Sequence, residues 1–304
     1  MIDVHNSDAL ERLAAVEGIM FDVDGCLVLS DGPSGQDGHV LPGAIAAIEH
    51  ARMSGRRLCV FTNGTAQHGG DIAKHLRSMG LMVEDDEVLT PAAVAADVMS
   101  RLYPSEPILV FGRSGMLHDF EKRGVDVVDI ERALAEKSVD VPAVVVGWDT
   151  EFGRTKLQLA AAAVRGGAKI YCTSDARTFA SRGWPNVGVS GFIAAGLSHV
   201  TGQPYEVVGK PSHAAMRLIS QTLQTHPENL LVIGDDIELE SAMARRAGAL
   251  AGLVLTGTTD LEALDCATEQ NRPDLVVDNM NQLVEMFTSA DKSSRRTRVG
   301  TGKE

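Results

Sequence analysis

Two aspartates, Asp22 and Asp24, stand one residue apart in IMFDVDGCLV, residues 19–28, where an apolar strand-like run gives way to Gly25. Near its reference pKa, Asp22 is ionised at neutral pH and can serve as an oxygen nucleophile. Asp24 is placed to exchange a proton with a leaving or attacking oxygen. Their spacing of two puts both on one face of an ideal strand, and the turn begun at Gly25 can aim them separately. Three further apolar runs end in polar residues: Thr62 and Asn63 after RLCVF, Lys210 after YEVVG, and Asp235 and Asp236 after LLVIG. Carboxylates crowded together repel unless a cation sits among them, and hard oxygen donors with open positions favour Mg²⁺. Lys210, Thr62 and Asn63 add positive charge and hydrogen-bond donors for an anion, phosphate first among them. Enzymes accelerate phosphate-monoester hydrolysis by up to about 10²¹-fold, against roughly 10²–10⁴-fold for one acid or base, so such groups must act together.

The elements that must position them alternate. Short β-rich runs and helical patterns follow one another, as in βαβ units with a mainly parallel sheet covered by helices. Open sheets of this kind bind ligands beyond the carboxyl ends of their strands, so the four polar strand ends meet at one crevice if their strands are neighbours. The expected fold is α/β, a doubly wound Rossmann-like parallel sheet with a second α/β unit inserted as a cap. The first part of the core is expected over residues 1–84, the insertion over 85–185 and the second part over 186–288. A flexible basic tail is expected over 289–304, SADKSSRRTRVGTGKE, where apolar periodicity fades.

Composition narrows the function. The 304 residues are 44% hydrophobic and carry a formal charge of −13, enough apolar content for a sizeable core and no net basic field to draw the chain to nucleic acid or anionic membrane. The four cysteines, Cys26, Cys59, Cys172 and Cys266, lie far apart with no C-x-x-C pair and read as reduced thiols. The N-terminus lacks the pattern of a secretory signal and no stretch reaches the length of a membrane span, so a cytoplasmic protein is expected.

The motifs FDVDG, VFTNG, VVGKPS and VIGDD, in this order at strand ends, resemble those of haloacid-dehalogenase-superfamily phosphatases, in particular the NagD-like class IIA group with its large α/β cap. That resemblance implies that Asp22 attacks phosphorus to form an aspartyl-phosphate. Asp24 then protonates the leaving group and activates water. It implies Mg²⁺ on Asp22, the Asp24 backbone carbonyl and Asp235, and phosphoryl binding by Thr62, Asn63 and Lys210. Cys26 replaces a common threonine, Glu240 stands where a second aspartate is usual, and Ser174 replaces a common asparagine. Asp236 and Glu240 are therefore candidates for metal binding or for support of the metal site, Glu240 alternatively holding Lys210. The cap segments GWDTEFGRTKL and YCTSDARTF make Asp149, Asp175 and Arg177 the candidates for substrate specificity.

The resulting expectation is a Mg²⁺-dependent phosphatase of small phosphorylated metabolites. The alternatives are a catalytically idle phosphometabolite-binding or regulatory protein of the same fold, and transfer of phosphate to an acceptor other than water. The Gly-rich SDGPSGQDGH reads as a loop, since it lacks the G-K-[ST] ending of a P-loop. Trp148 and Trp184 read as packing residues. The alanine-rich KLQLAAAAVRGGA reads as a helix packed on the cap sheet or, alternatively, as a contact between caps in a homodimer.

Overall fold

The computed structural model describes residues 7–30, 38–181 and 186–300. Most of the Gly-rich loop after Ser30, Trp184 and the last four residues lie outside them. Helix α1 (Ser7–Ala15) precedes strand β1 (Gly18–Phe21), and a short antiparallel pair, β2 (Val28–Leu29) with β3 (His39–Val40), follows. The chain then alternates through α2 (Ala44–Met53), β4 (Arg57–Phe61), α3 (Gly69–Ser78), β5 (Val88–Leu89) and α4 (Pro91–Leu102). A second series runs β6 (Leu109–Phe111), α5 (Ser114–Lys122), α6 (Ile130–Glu136), β7 (Ala143–Val146), α7 (Arg154–Arg165) and β8 (Lys169–Cys172). It continues through the antiparallel pair β9 (Thr178–Phe179) and β10 (Asn186–Val187), then α8 (Val189–Thr201) and β11 (Tyr205–Val207). The return comprises α9 (His213–Leu223), β12 (Leu230–Gly234), α10 (Ala242–Ala247), β13 (Leu250–Val254), α11 (Leu261–Asp265), β14 (Leu275–Val277) and α12 (Met280–Gly300).

Six parallel strands form one sheet in the order β14-β13-β12-β1-β4-β5. The chain winds from β1 through β4 to β5, then crosses to β12 on the other side of β1, which makes the ends of β1, β4 and β12 the switch point where a crevice opens. Alternate residues of β1 feed opposite faces: Ile19 and Phe21 join Ile48, Val60 and Leu231, while Met20 joins Cys59, Met99 and Ile219. Strand β1 is buried along its whole length, as its unbroken apolar sequence requires.

The second sheet, β11-β8-β7-β6, is also parallel. Its Ile108, Val110, Val145 and Tyr171 side share the apolar layer of α4 and α9 with the large sheet, so one continuous core joins the two. Its other face packs Val144, Val146 and Ile170 on Leu159, Ala160 and Ala163 of the alanine-rich α7, the packing reading of that helix.

Strand memberships place both crossings later than the sequence patterns do. Strand β5 pairs with β4 in the large sheet, whereas α8 packs on the small sheet through Ile193 and Leu197, and β11 pairs with β8. We therefore place the inserted unit between residue 89 and residue 208. The last helix runs through the start of the segment expected as a tail. Helix α12 continues to Gly300, and Leu283, Phe287 and Ala290, one helical face, are buried in the core. Arg56 donates to both oxygens of Asp291, fastening that turn to the sheet. No helix among the described residues is long and apolar enough to cross a membrane.

Where the two sheets share a layer, Asp97 of α4 is buried yet charged. Arg101 Nε and Arg217 Nη2 donate to its Oδ2 at 2.9 and 3.0 Å, and Arg123 Nη1 lies 3.2 Å from Oδ1. Burial pushes the carboxyl up, but the hydrogen bonds from Arg101 and Arg217 and the charge of Arg123 outweigh it and hold Asp97 below the usual carboxylate range. Stability from a depressed carboxylate is fully present above the unfolded pKa, about 3.9, and is lost as pH falls through the folded value. Asp97→Asn should cost about 1–3 kcal/mol at neutral pH, the half-exposed arginines limiting the loss. Urea unfolding of both proteins across pH checks this, and the gap between them should shrink below about pH 4.

Candidate active site

The first carboxylate continues the β1 ladder. The Asp22 amide donates to Ile233 O at 2.9 Å, which locks the end of β1 against β12. The chain then folds back sharply, with Val23 O accepting from the amides of Leu27 and Val28. Gly25 has φ of +84°, a left-handed value, and a Cβ there would meet Asp235 and Ala180, so the turn demands glycine. Asp24, also buried, accepts from Ser30 Oγ at 3.5 Å and Thr62 Oγ1 at 3.4 Å.

Lys210 binds these elements together. It is fully buried, donates to Asp22 Oδ1 at 2.5 Å and to Phe61 O at 2.9 Å, and lies 2.5 Å from Glu240 Oε1. Burial alone lowers an ammonium's pKa, yet the charges of Asp22 and Glu240 raise that of Lys210 above its ordinary value. Its strand is not a neighbour of β1. Strand β11 belongs to the small sheet, so three of the four polar strand ends come from neighbouring strands and Lys210 enters from the other side. It can do so because Gly209 packs directly on Thr173 O, where any Cβ would collide.

Thr62 accepts from the Gly64 amide at 3.0 Å, which shapes the turn after β4. Asn63 faces the same cavity as Asp22 and Asp24, and its Oδ1 is buried without a hydrogen-bond partner among the described residues. Such an unpaired acceptor is costly unless a ligand engages it, and a half-turn of the amide would put its NH₂ in that place as a donor for an anion. The loop is fastened from the cap side: the Trp148 amide donates to the buried Thr65 Oγ1 at 2.9 Å.

Asp235 completes the cluster. Its Oδ2 accepts from the Thr258 amide at 2.7 Å, and its carboxylate lies where a Cβ at Gly257 would collide with it. Burial and the Glu240 charge push Asp235 up to about 7, against the hydrogen bond from Thr258. Asp22 is raised well above the carboxylate range: burial is the largest cause, Lys210 opposes it, and Glu240, Asp235 and Asp24 add to it. Both shifts express carboxylates short of positive charge, which an oxygen-bound divalent cation would supply. Among the described residues no three His, Cys, Asp or Glu side chains form a metal cluster. The set implied by the motifs, two carboxylates and one main-chain carbonyl, fits Mg²⁺, which keeps several waters and takes substrate phosphate as a ligand.

The two remaining acids take different parts. Asp236 caps the turn that follows it, its Oδ1 accepting from the amides of Glu238 at 2.7 Å and Leu239 at 3.3 Å, and burial with the Glu240 charge pushes it up to about 6. Glu240 lies in a wide π-type turn, Ile237–Ser241, that carries its side chain back over Gly234 to Lys210.

Asp22, Asp24, Asn63 and Asp235 line a cavity of about 10 Å³, room for about one water or ion. Its roof is Thr178, Phe179 and Ala180 of the cap. A groove of about 840 Å³ adjoins it, sharing Thr178, Asp236, Leu239 and Thr258, with Asp175, Arg177 and Lys210 in its lining.

Two sequence comparisons and a structural one bear on this geometry. Residues 19–126 match the haloacid dehalogenase-like hydrolase family, and residues 207–283 match an HAD-hydrolase-like family. The chain is 26% identical to the ribonucleotide monophosphatase NagD of Escherichia coli K12 over 82% of its length and 92% of that protein's. This chain belongs to the haloacid dehalogenase superfamily, in its NagD-like phosphatase group. Phosphoglycolate phosphatase 1A of Arabidopsis thaliana is 25% identical, over 92% of this chain and 79% of that one. The crystal structure of 4-nitrophenylphosphatase from Thermotoga maritima superposes with a TM-score of 0.78 at 27% identity, covering 90% of this chain and 98% of that one.

Within this haloacid dehalogenase fold the three cap candidates separate. Asp149 is buried but faces its own loop, accepting from the Glu151 amide at 2.9 Å and from Lys156 Nζ at 2.7 Å. Asp175 accepts from Tyr205 Oη at 3.0 Å and, with Arg177, lines the groove rather than the small cavity. The sequence reading passed over Thr65, Gly257, Thr258 and Ala180, and took in Thr178 and Phe179 only as part of the segment YCTSDARTF. A signal existed for two of them, since LTGTTD closes the strand that turns out to neighbour β12.

Proposed function

We propose that this chain hydrolyses small organic phosphate monoesters with Mg²⁺. The observation that carries the reading is the convergence of Asp22, Asp24, Asp235 and Asn63, its Oδ1 unpaired among the described residues, on one cavity, with Lys210 donating to Asp22. Mg²⁺, held by Asp22, Asp235 and the Asp24 carbonyl, would supply charge that keeps the carboxylates ionised and offsets charge on the phosphoryl oxygens.

Asp22 attacks phosphorus, forming an Asp22–phosphorus bond as the ester P–O bond breaks, and the leaving oxygen takes the proton of Asp24. Asp24, now a carboxylate, removes a proton from water; the water oxygen attacks phosphorus and the bond to Asp22 breaks, releasing phosphate. Lys210 and Asn63 orient the phosphoryl group, and Ser30 and Thr62 hold Asp24. The 10 Å³ cavity admits little beyond the reacting centre, so the leaving group extends into the adjoining groove, where Asp175 and Arg177 are the specificity candidates.

Phosphate release from p-nitrophenyl phosphate, phosphoglycolate, glycerol phosphate, nucleoside monophosphates and pyridoxal phosphate, with Mg²⁺ or with chelator, tests the reading. Metal-dependent release supports it. A folded, metal-loaded protein that releases phosphate from none of them is instead a binding protein. Gly257→Ala tests the metal separately. Its Cβ displaces the Asp235 carboxylate, so the Mg²⁺ concentration for half-maximal activity should rise by about 10–100-fold.

A further inference from the structure

Asp97 is surrounded by more positive charge than its own burial requires. Among the described residues, Arg52, Arg56, Arg77 and Arg132 each pair with an acid that no second arginine shares, and Asp274 is shared by two arginines. Asp97 is met by three, Arg101, Arg123 and Arg217, and among the described residues no other acid lies within ion-pair distance of any of them. The cluster carries a net charge of two in a chain whose total is −13.

The three guanidinium groups come from different elements. Arg101 is in the last turn of α4, Arg123 follows α5, and Arg217 lies midway along α9. Their side chains remain 42–50% exposed while Asp97 is 2% exposed, so the carboxylate is beneath and the guanidinium groups are at the surface. Arg217 gives one N–H to Asp97 and Arg101 gives two. Most of the fork-shaped donors are therefore left for a further partner, and such forks match the oxygens of a tetrahedral oxyanion.

We propose that Arg101, Arg123 and Arg217 form a second oxyanion site, which takes a tetrahedral dianion of the phosphate type. It is separate from the Asp22 cavity, since none of the three lines that cavity. Arg123 also lies at the end of α5 opposite Gly115, which packs on the loop after Asn63, about 12 Å along the helix axis. Free phosphate and the phosphoryl group of a metabolite share the chemistry required.

The test is equilibrium binding of inorganic phosphate to the full chain at constant ionic strength, for the native protein and for Arg123→Gln/Arg217→Gln. That variant leaves Asp97 paired with Arg101 and leaves every residue of the Asp22 cavity in place. The native protein should show a phosphate-binding component that weakens by about tenfold or more in the variant. Identical isotherms for the two would overturn the site. A non-hydrolysable alkyl phosphonate in a parallel titration separates the sources: tighter binding than phosphate at this component marks a metabolite's phosphoryl group, and equal or weaker binding marks the free ion.

Discussion

Asp22→Asn is expected to lower phosphate release from p-nitrophenyl phosphate by roughly four to six orders of magnitude, the scale on which loss of a nucleophile acts. The variant should stay folded. Asparagine is nearly isosteric and keeps an oxygen for Lys210, and it removes one charge from a place where burial, Glu240, Asp235 and Asp24 oppose ionisation while Lys210 favours it. Thermal unfolding in chelator should give a midpoint close to that of the native chain, the lost pairing with Lys210 being offset by the relieved repulsion and Lys210 keeping Glu240. A variant that retains a tenth of the native rate would leave Asp22 no role as nucleophile.

Lys210→Met should have the largest effect on stability. The ammonium is fully buried between Asp22 and Glu240, themselves buried, and methionine fills a similar volume without charge. Breaking a buried ion pair by removing one partner costs about 3–5 kcal/mol, because the other charge remains uncompensated; here two carboxylates remain. Urea unfolding in chelator should show a loss of that size, together with loss of phosphate release. Glu240→Gln is the informative comparison, with a smaller loss because Lys210 keeps Asp22. Equal losses in the two variants would mean that Glu240, and not Asp22, is the partner that matters to the lysine.

Asp22, Asp24, Thr62, Asn63 and Asp235 were legible in the sequence because a strand end is a local pattern, an apolar run that stops at polar residues. What a strand pairs with is not local. YEV reads as a strand in either sheet, so the sequence left open whether Lys210 follows a neighbour of β1, and it follows a strand that pairs with β8 of the small sheet. Gly257 and Thr258 acquire meaning only once β13 lies beside β12. Glu240 reaches Lys210 only because a π-type turn follows β12 and Gly234 leaves room. Asp149 looked available for substrate, but Lys156, seven residues on, claims it. In α12 the Leu283, Phe287 and Ala290 face was present, masked by the polar residues around it.

The central claim, a covalent phosphoryl-Asp22 intermediate, is tested most directly by acid-quenching the Asp24→Asn variant during reaction with ³²P-labelled p-nitrophenyl phosphate and Mg²⁺. The nitrophenolate leaves without a proton from residue 24, whereas the second step needs Asp24 as base, so label should accumulate on the peptide containing Asp22 and be absent when Asp22 is also replaced by Asn. Phosphate released by the native chain with no label on that peptide in the variant, and release surviving Asp22→Asn, would contradict the account.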